Sequence, residues 1–173
     1  VIAAGQLNTL SLVLSPFAAV YMVFYPYTKR FTWLGSLALG GALAIAPMGA
    51  WIGVTGTLEW AALLLPGAVF FWATSFDILY HVQDRDFYVK NGLHSIAQKL
   101  GTHLAFRCAQ VFDFLFVISL IVLGLNNGLA YPFFVGCLLI LGLLIYKYRI
   151  VSENDISRLD AVSYTHLTLP TKR

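Results

Sequence analysis

Five long apolar runs alternate with shorter polar stretches along this chain. The runs cover residues 7–25, 33–54, 60–80, 104–125 and 131–148. A helix that crosses a bilayer needs about 20 mostly apolar residues, so each run predicts one span. Pro16 lies inside the first, where a membrane helix tolerates it. The second is rich in small residues, among them Gly35, Gly40, Gly41, Ala42 and Ala44. Small residues let neighbouring backbones approach, so this helix is expected to pack inside a bundle. The longest polar interruption is 84–103. The fold expected is all-α, a polytopic transmembrane helix bundle with about five spans.

Composition agrees with the pattern. Of 173 residues, 59% are hydrophobic and 11% charged, and the mean hydropathy is +0.77. Soluble domains run at about 45–50% apolar and about 25% charged. A soluble enzyme domain, a disordered region and a nucleic-acid-binding module are thereby excluded, and the lipid bilayer is the expected partner. The net charge of +3 is too small to form a basic face. Cys108 and Cys137 lie in apolar runs and read as small buried hydrophobes.

The placement of the charges predicts an orientation. Lys29 and Arg30 follow the first run. Arg85, Lys90, Lys99 and Arg107 fall between the third run and the start of the fourth, and Lys147, Arg149 and Arg158 lie at and after the end of the fifth. The loops 55–59 and 126–130 carry no Lys or Arg. Basic residues on alternate loops share one side, and the positive-inside rule makes that side cytoplasmic. A bacterial inner membrane is the expected location.

Chemistry concentrates on the same side. Asp77, Asp84 and Asp86 lie within twelve positions at 75–86, beginning inside the third run. On a continuing helix Asp77 and Asp84, two turns apart, share a face. An ionisable residue inside an apolar run is costly, which marks Asp77 as functional by default. Clustered carboxylates suit a hard cation such as Mg2+, held by one or two carboxylates plus substrate phosphates. The competing reading is a solvated loop of mixed charge. Tyr25-Pro-Tyr-Thr-Lys-Arg30 reads either as a snorkelling basic anchor or as a diphosphate clamp, with ammonium and phenol on phosphate oxygens. His81 and His94 flank the carboxylates without metal-ligand spacing, and His94 is placed near an acceptor pocket by position alone. Asp113, inside the fourth run, is expected to pair with Arg107 or a backbone group.

Three stretches together resemble the intramembrane aromatic prenyltransferases of the UbiA superfamily, the 4-hydroxybenzoate polyprenyltransferases in particular. The first runs from Leu14 to Leu34 and contains a Tyr-x-x-x-Lys element as Tyr25 and Lys29. The second lies at 40–56, around Pro47, Trp51 and Gly56. The third, Phe76-Asp-Ile-Leu-Tyr-His-Val-Gln-Asp-Arg-Asp-Phe with Gly92-Leu-His-Ser-Ile96 after it, looks like the family's second Asp-rich motif. The resemblance implies a nine-helix bundle in which two Asp-rich motifs hold Mg2+ on a polyprenyl diphosphate. It implies metal-binding and catalytic roles for Asp84, Asp77 and Asp86. Diphosphate binding would fall to Lys29 and Tyr25, with Arg30, Arg85 and Lys90 as further candidates. The acceptor would be an aromatic acid, 4-hydroxybenzoate in the ubiquinone route or a naphthoate-type acid in the menaquinone route.

One departure stands out. The family's motif reads Asp-x-x-x-Asp, and here Asp84 is followed at the second position by Tyr88, a poor Mg2+ ligand. Two readings from other classes remain beside the transferase. One is a small transporter with Asp77 and Asp113 on a cation path, although the internal repeat expected of it is not evident. The other is a CDP-alcohol phosphotransferase, whose Asp-Gly motif is not matched. Residues 1–160 are expected to be an internal fragment, about helices four to eight, since Val1 is preceded by no Met or leader pattern. Residues 161–173 resemble translated read-through of a transposon-type sequencing adapter, the alternative being a short polar tail.

Overall fold

The structure is a computed structural model and describes residues 2–150. Glu153, Asp155, Arg158 and the stretch 161–173 lie outside the described residues, as does the side chain of Asp86.

The chain is helical from end to end of the described part. A short α1 (Ile2–Gly5) leads into α2 (Thr9–Phe24), a 3₁₀ turn at Tyr25–Tyr27 and the single turn α3 (Thr28–Phe31). Then come α4 (Gly35–Thr55), a 3₁₀ turn at Trp60–Leu63, α5 (Leu64–Gln83), and the short α6 (Arg85–Lys90) and α7 (Ile96–Leu100). Two long helices close the order, α8 (Thr102–Asn126) and α9 (Tyr131–Ile150). Five segments are long and apolar enough to cross a membrane: Thr9–Phe31, Gly35–Thr55, Trp60–Gln83, Thr102–Asn126 and Tyr131–Ile150. They match the five expected spans, within a few residues at most ends. The basic residues of the described part all fall on the end of the bundle that holds α3, α6 and α7.

The centre of the bundle is α5, which packs most heavily on α8 and then on α4. Its sequence explains this. Thr74, Ser75, Asp77, Ile78, Leu79, His81 and Val82 are all buried, so polar and apolar residues alike are covered. The small-residue helix α4 was expected inside the bundle. It packs on α5 and, through Tyr21 against Gly41, on α2, with Gly35, Ser36, Gly40 and Ala42 buried. A Cβ on Gly40 would stand 2.8 Å from the Phe70 carbonyl oxygen and would collide with the Thr74 hydroxyl. Close backbone approach therefore joins α4 to α5, and α5 takes the interior place.

Polar ties hold the ends of the spans. Asn8 caps α2 by accepting from the Ser11 N–H at 2.8 Å, and its amide donates to the Ile52 carbonyl at 2.7 Å. The Tyr21 hydroxyl donates to the Ala38 carbonyl at 3.0 Å. The Ser75 hydroxyl donates to the Ala109 carbonyl at 3.0 Å, joining α5 to α8. Such bonds matter in a bilayer, where helix association lacks an aqueous hydrophobic drive.

The polar interruption is an ordered platform. Gly92 sits at φ +62. Its N–H donates to the Val89 carbonyl and the Leu93 N–H to the Tyr88 carbonyl, the Schellman closure that calls for a left-handed residue. Three residues on, Ser95 and Gln98 form a reciprocal capping box that starts α7. Ile96 and Ala97 then pack with Ile78, Leu79 and Val82 of α5 and with Ala105, Phe106 and Ala109 of α8. The Gly-Leu-His-Ser sequence thus stops one helix and caps the next.

Candidate active site

The platform and α3 meet over the end of α5. Thr28 donates its hydroxyl to the Tyr25 carbonyl at 2.5 Å, which shapes the junction between the 3₁₀ turn and α3. Thr32 is extended and ends α3, so α4 begins only three residues later. This tight reversal lays the Lys29 side chain across Gly35. A Cβ at position 35 would stand 2.8 Å from Lys29 Cγ, which explains glycine there. From the other side, the His94 N–H donates to the Lys29 carbonyl at 2.9 Å. Lys29 is clamped by backbone on both flanks.

Its ammonium enters a polar pocket. Lys29 Nζ lies 3.4 Å from Asp77 Oδ1, 3.1 Å from His81 Nε2 and 3.2 Å from the Tyr88 hydroxyl. Asp77 and His81 are one turn apart on α5 and face the same way. His81 is 2% exposed, and its Nδ1 is 3.1 Å from the hydroxyl of Ser36, which is wholly buried. Tyr88 is also buried and its ring packs 4.5 Å from that of His81. His81 Nε2 is also 3.3 Å from Asp77 Oδ2, but one ring nitrogen does not serve an ammonium and a carboxylate at once. The closer ammonium assigns Nε2 as acceptor and places the ring proton on Nδ1, toward Ser36. Asp77 Oδ2 is then a buried oxygen without a donor.

The structure brings together Lys29 and Asp77 of the residues expected from sequence, and adds His81, Ser36 and Tyr88. It separates others. Asp77 is buried within α5, whereas Asp84 directly follows the helix, its N–H still donating to the Tyr80 carbonyl at 2.9 Å, and is exposed. Asp84 stands at the N-cap position of α6 without a side-chain capping bond, one turn before Tyr88. Arg85 and Lys90 are exposed on α6. Arg30 is exposed and lies over the Tyr27 ring, 5.9 Å from its centroid. Tyr25 is half-buried, and its carbonyl, rather than its phenol, makes the local bond. His94 is exposed and contributes its backbone.

Asp113 likewise has other partners than those expected. Lys147 and Tyr148 of α9 both donate to its Oδ2, the tyrosine at 2.5 Å. Arg107 turns instead to Gln110, 3.5 Å away.

The donors test what metal the site suits. Among the described residues no three His, Cys, Asp or Glu side chains converge, and Asp77 is already engaged by Lys29. Asp84 leaves one free-standing carboxylate at the rim. That arrangement fits Mg2+ arriving with phosphate oxygens as its other ligands, and does not fit an all-protein cage.

Five apolar spans, with a lysine-centred polar cluster at the end that carries the basic residues, define an integral membrane protein. The model of the UbiA prenyltransferase family matches residues 1–168, and the chain belongs to that family. It is similar to a 4-hydroxybenzoate octaprenyltransferase from Herminiimonas arsenicoxydans, 35% identical over 151 residues, with 86% of this chain and 52% of that protein covered. The corresponding enzyme from Vibrio campbellii is 29% identical over 150 residues, with the same coverage. An apo structure of a UbiA homolog from Aeropyrum pernix K1 superposes with a TM-score of 0.72 at 29% identity, over 80% of this chain and 53% of that one. The chain spans about half the length of the curated relatives it matches.

Proposed function

We propose that this chain is part of a membrane aromatic prenyltransferase that moves a polyprenyl group from its diphosphate to a phenolic acid such as 4-hydroxybenzoate, in quinone biosynthesis. The observation that carries the reading is Lys29, held by Asp77, His81 and Tyr88 at the basic end of a UbiA-family bundle. A naphthoate-type acceptor fits the same pocket chemistry. Residues 1–160 would supply about helices four to eight of a nine-helix bundle. The pocket would face the cytoplasm of a bacterial inner membrane, following the positive-inside rule.

In this reading Lys29, with Tyr25 nearby, takes the diphosphate oxygens. Arg30, Arg85 and Lys90 raise the positive potential around the mouth. Asp84 and, by the sequence motif, Asp86 would hold Mg2+, which would neutralise diphosphate charge. Asp77 acts one step back, by orienting Lys29. The C–O bond to the diphosphate breaks toward an allylic cation, the leaving group carrying the electron pair. The electron-rich ring of the acceptor forms the new C–C bond and then loses its ring proton. The apolar helices house the isoprenoid tail and keep water from the cation.

The test is prenyl transfer in membranes from cells expressing the gene that encodes this sequence. Transfer to 4-hydroxybenzoate that stops with EDTA and with Asp84→Ala is expected. Metal-independent transfer, or full activity in Asp84→Ala, would overturn the assignment of Asp84.

A further inference from the structure

The Lys29 ammonium has three N–H donors, and three acceptors stand around it: Asp77 Oδ1, His81 Nε2 and the Tyr88 oxygen. Its hydrogen bonds are complete. The charge is nearly so, since one ammonium faces one carboxylate, and with Nε2 as acceptor the imidazole is neutral. The phenol of Tyr88 is different. Its oxygen accepts from Lys29, so its own hydrogen is left to donate, with no acceptor among the described residues. Tyr88 stands where the family's pattern has a second aspartate. A carboxylate there would add a negative charge beside Asp77 and would repel an anion until a metal bridged them. A phenol removes that charge and offers a donor next to the ammonium.

We propose that Tyr88 makes this half of the site a metal-independent diphosphate subsite, in which the Lys29 ammonium and the Tyr88 hydroxyl both donate to phosphate oxygens. The inference rests on the transferase reading and deepens it. It leaves Mg2+ to Asp84, one helical turn before Tyr88, and gives the Lys29 half no ion of its own. The longest of the three contacts, to Asp77 at 3.4 Å, is the one the ammonium gives up when an anion arrives. Lys29 is the more accessible member of that pair, its side chain 24% exposed against 11% for Asp77.

The probe is inorganic pyrophosphate, titrated calorimetrically into the full-length protein that contains this sequence, in lipid nanodiscs, once in EDTA and once with Mg2+. The natural chain is expected to bind in both. Tyr88→Phe keeps the ring and its packing but loses the donor, and should weaken binding in EDTA about tenfold. Tyr88→Asp sets a like charge beside the anion and should lose binding in EDTA by about a hundredfold, recovering it with Mg2+. The helical circular dichroism of each variant is the check on folding. Binding by the natural chain only with Mg2+ would overturn this inference and leave the transferase reading standing, as would Tyr88→Asp binding equally well in EDTA. Absence of pyrophosphate binding in both buffers, by a chain with its helical spectrum intact, would overturn both.

Discussion

Two clusters in this bundle have the same ingredients, a lysine, an aspartate and a tyrosine, and use them differently. In the first, Lys29, Asp77 and Tyr88 come from three separate elements and meet loosely at 3.2–3.4 Å. Lys29 is partly exposed, and one oxygen of Asp77 has no donor. In the second, Lys147 and Tyr148 are neighbours on α9, and both converge on one oxygen of Asp113, itself only 3% exposed. The second cluster is closed in its bonding around Asp113 Oδ2, although Asp113 and Tyr148 also line a cavity of about 350 Å³, and it fastens a helix that otherwise packs lightly on α8. At the far end of the same helix pair, Phe133 covers Gly124, where a Cβ would stand 2.7 Å from the ring. The contrast teaches that an ionisable residue inside a membrane span marks either a fastening or a working site. Spare bonding capacity, such as the donorless Asp77 Oδ2, distinguishes the two.

Breaking the closed cluster should give the largest effect. Asp113→Ala strands a half-buried ammonium, and removing one partner of a buried pair costs about 3–5 kcal/mol. Equilibrium unfolding in detergent should show that loss, and early proteolytic release of α9 should accompany it. A change to the open cluster should move binding as well as stability. Gly35→Ala pushes its methyl into Lys29 Cγ, next to a backbone that the His94 N–H holds, so a stability loss of about 1–3 kcal/mol is expected. Pyrophosphate affinity, read by calorimetry, should fall with it because the ammonium shifts. The smallest effect is expected from Ser36→Ala. It removes one buried hydrogen bond to His81, a loss of about 1 kcal/mol, and should loosen pyrophosphate binding only a few-fold.

The five spans were legible because apolar runs of the right length admit few other structures in a bilayer. Asp77 was legible as a carboxylate where none is cheap, and Lys29 through the Tyr-x-x-x-Lys spacing. His81 and Ser36 were not, since a single histidine in an apolar run has no visible partner until α3, α4, α5 and α6 converge on it. The one local signal was the spacing of Asp77 and His81, one helical turn. Asp77 and Asp84 part in burial because α5 stops at Gln83 without a Gly or Pro to announce it, which leaves Asp84 at the exposed helix end. Arg107 was a poor partner for Asp113 on geometric grounds. Six residues along a helix point to another face, whereas three or four share one. The true partners lie 34 and 35 residues away, on a contact that only the packing of α9 reveals.

The central claim is that the open cluster binds the diphosphate and the closed one only holds the fold. It is tested most directly by pyrophosphate titration of two variants beside the natural chain. One is Lys29→Met. The other is Asp113→Leu with Lys147→Met, which replaces both partners by apolar groups and so strands no charge. The account predicts that Lys29→Met loses affinity about tenfold or more, while the double variant binds like the natural chain. Unchanged binding in Lys29→Met, or lost binding in a double variant that keeps its helical content, would contradict it.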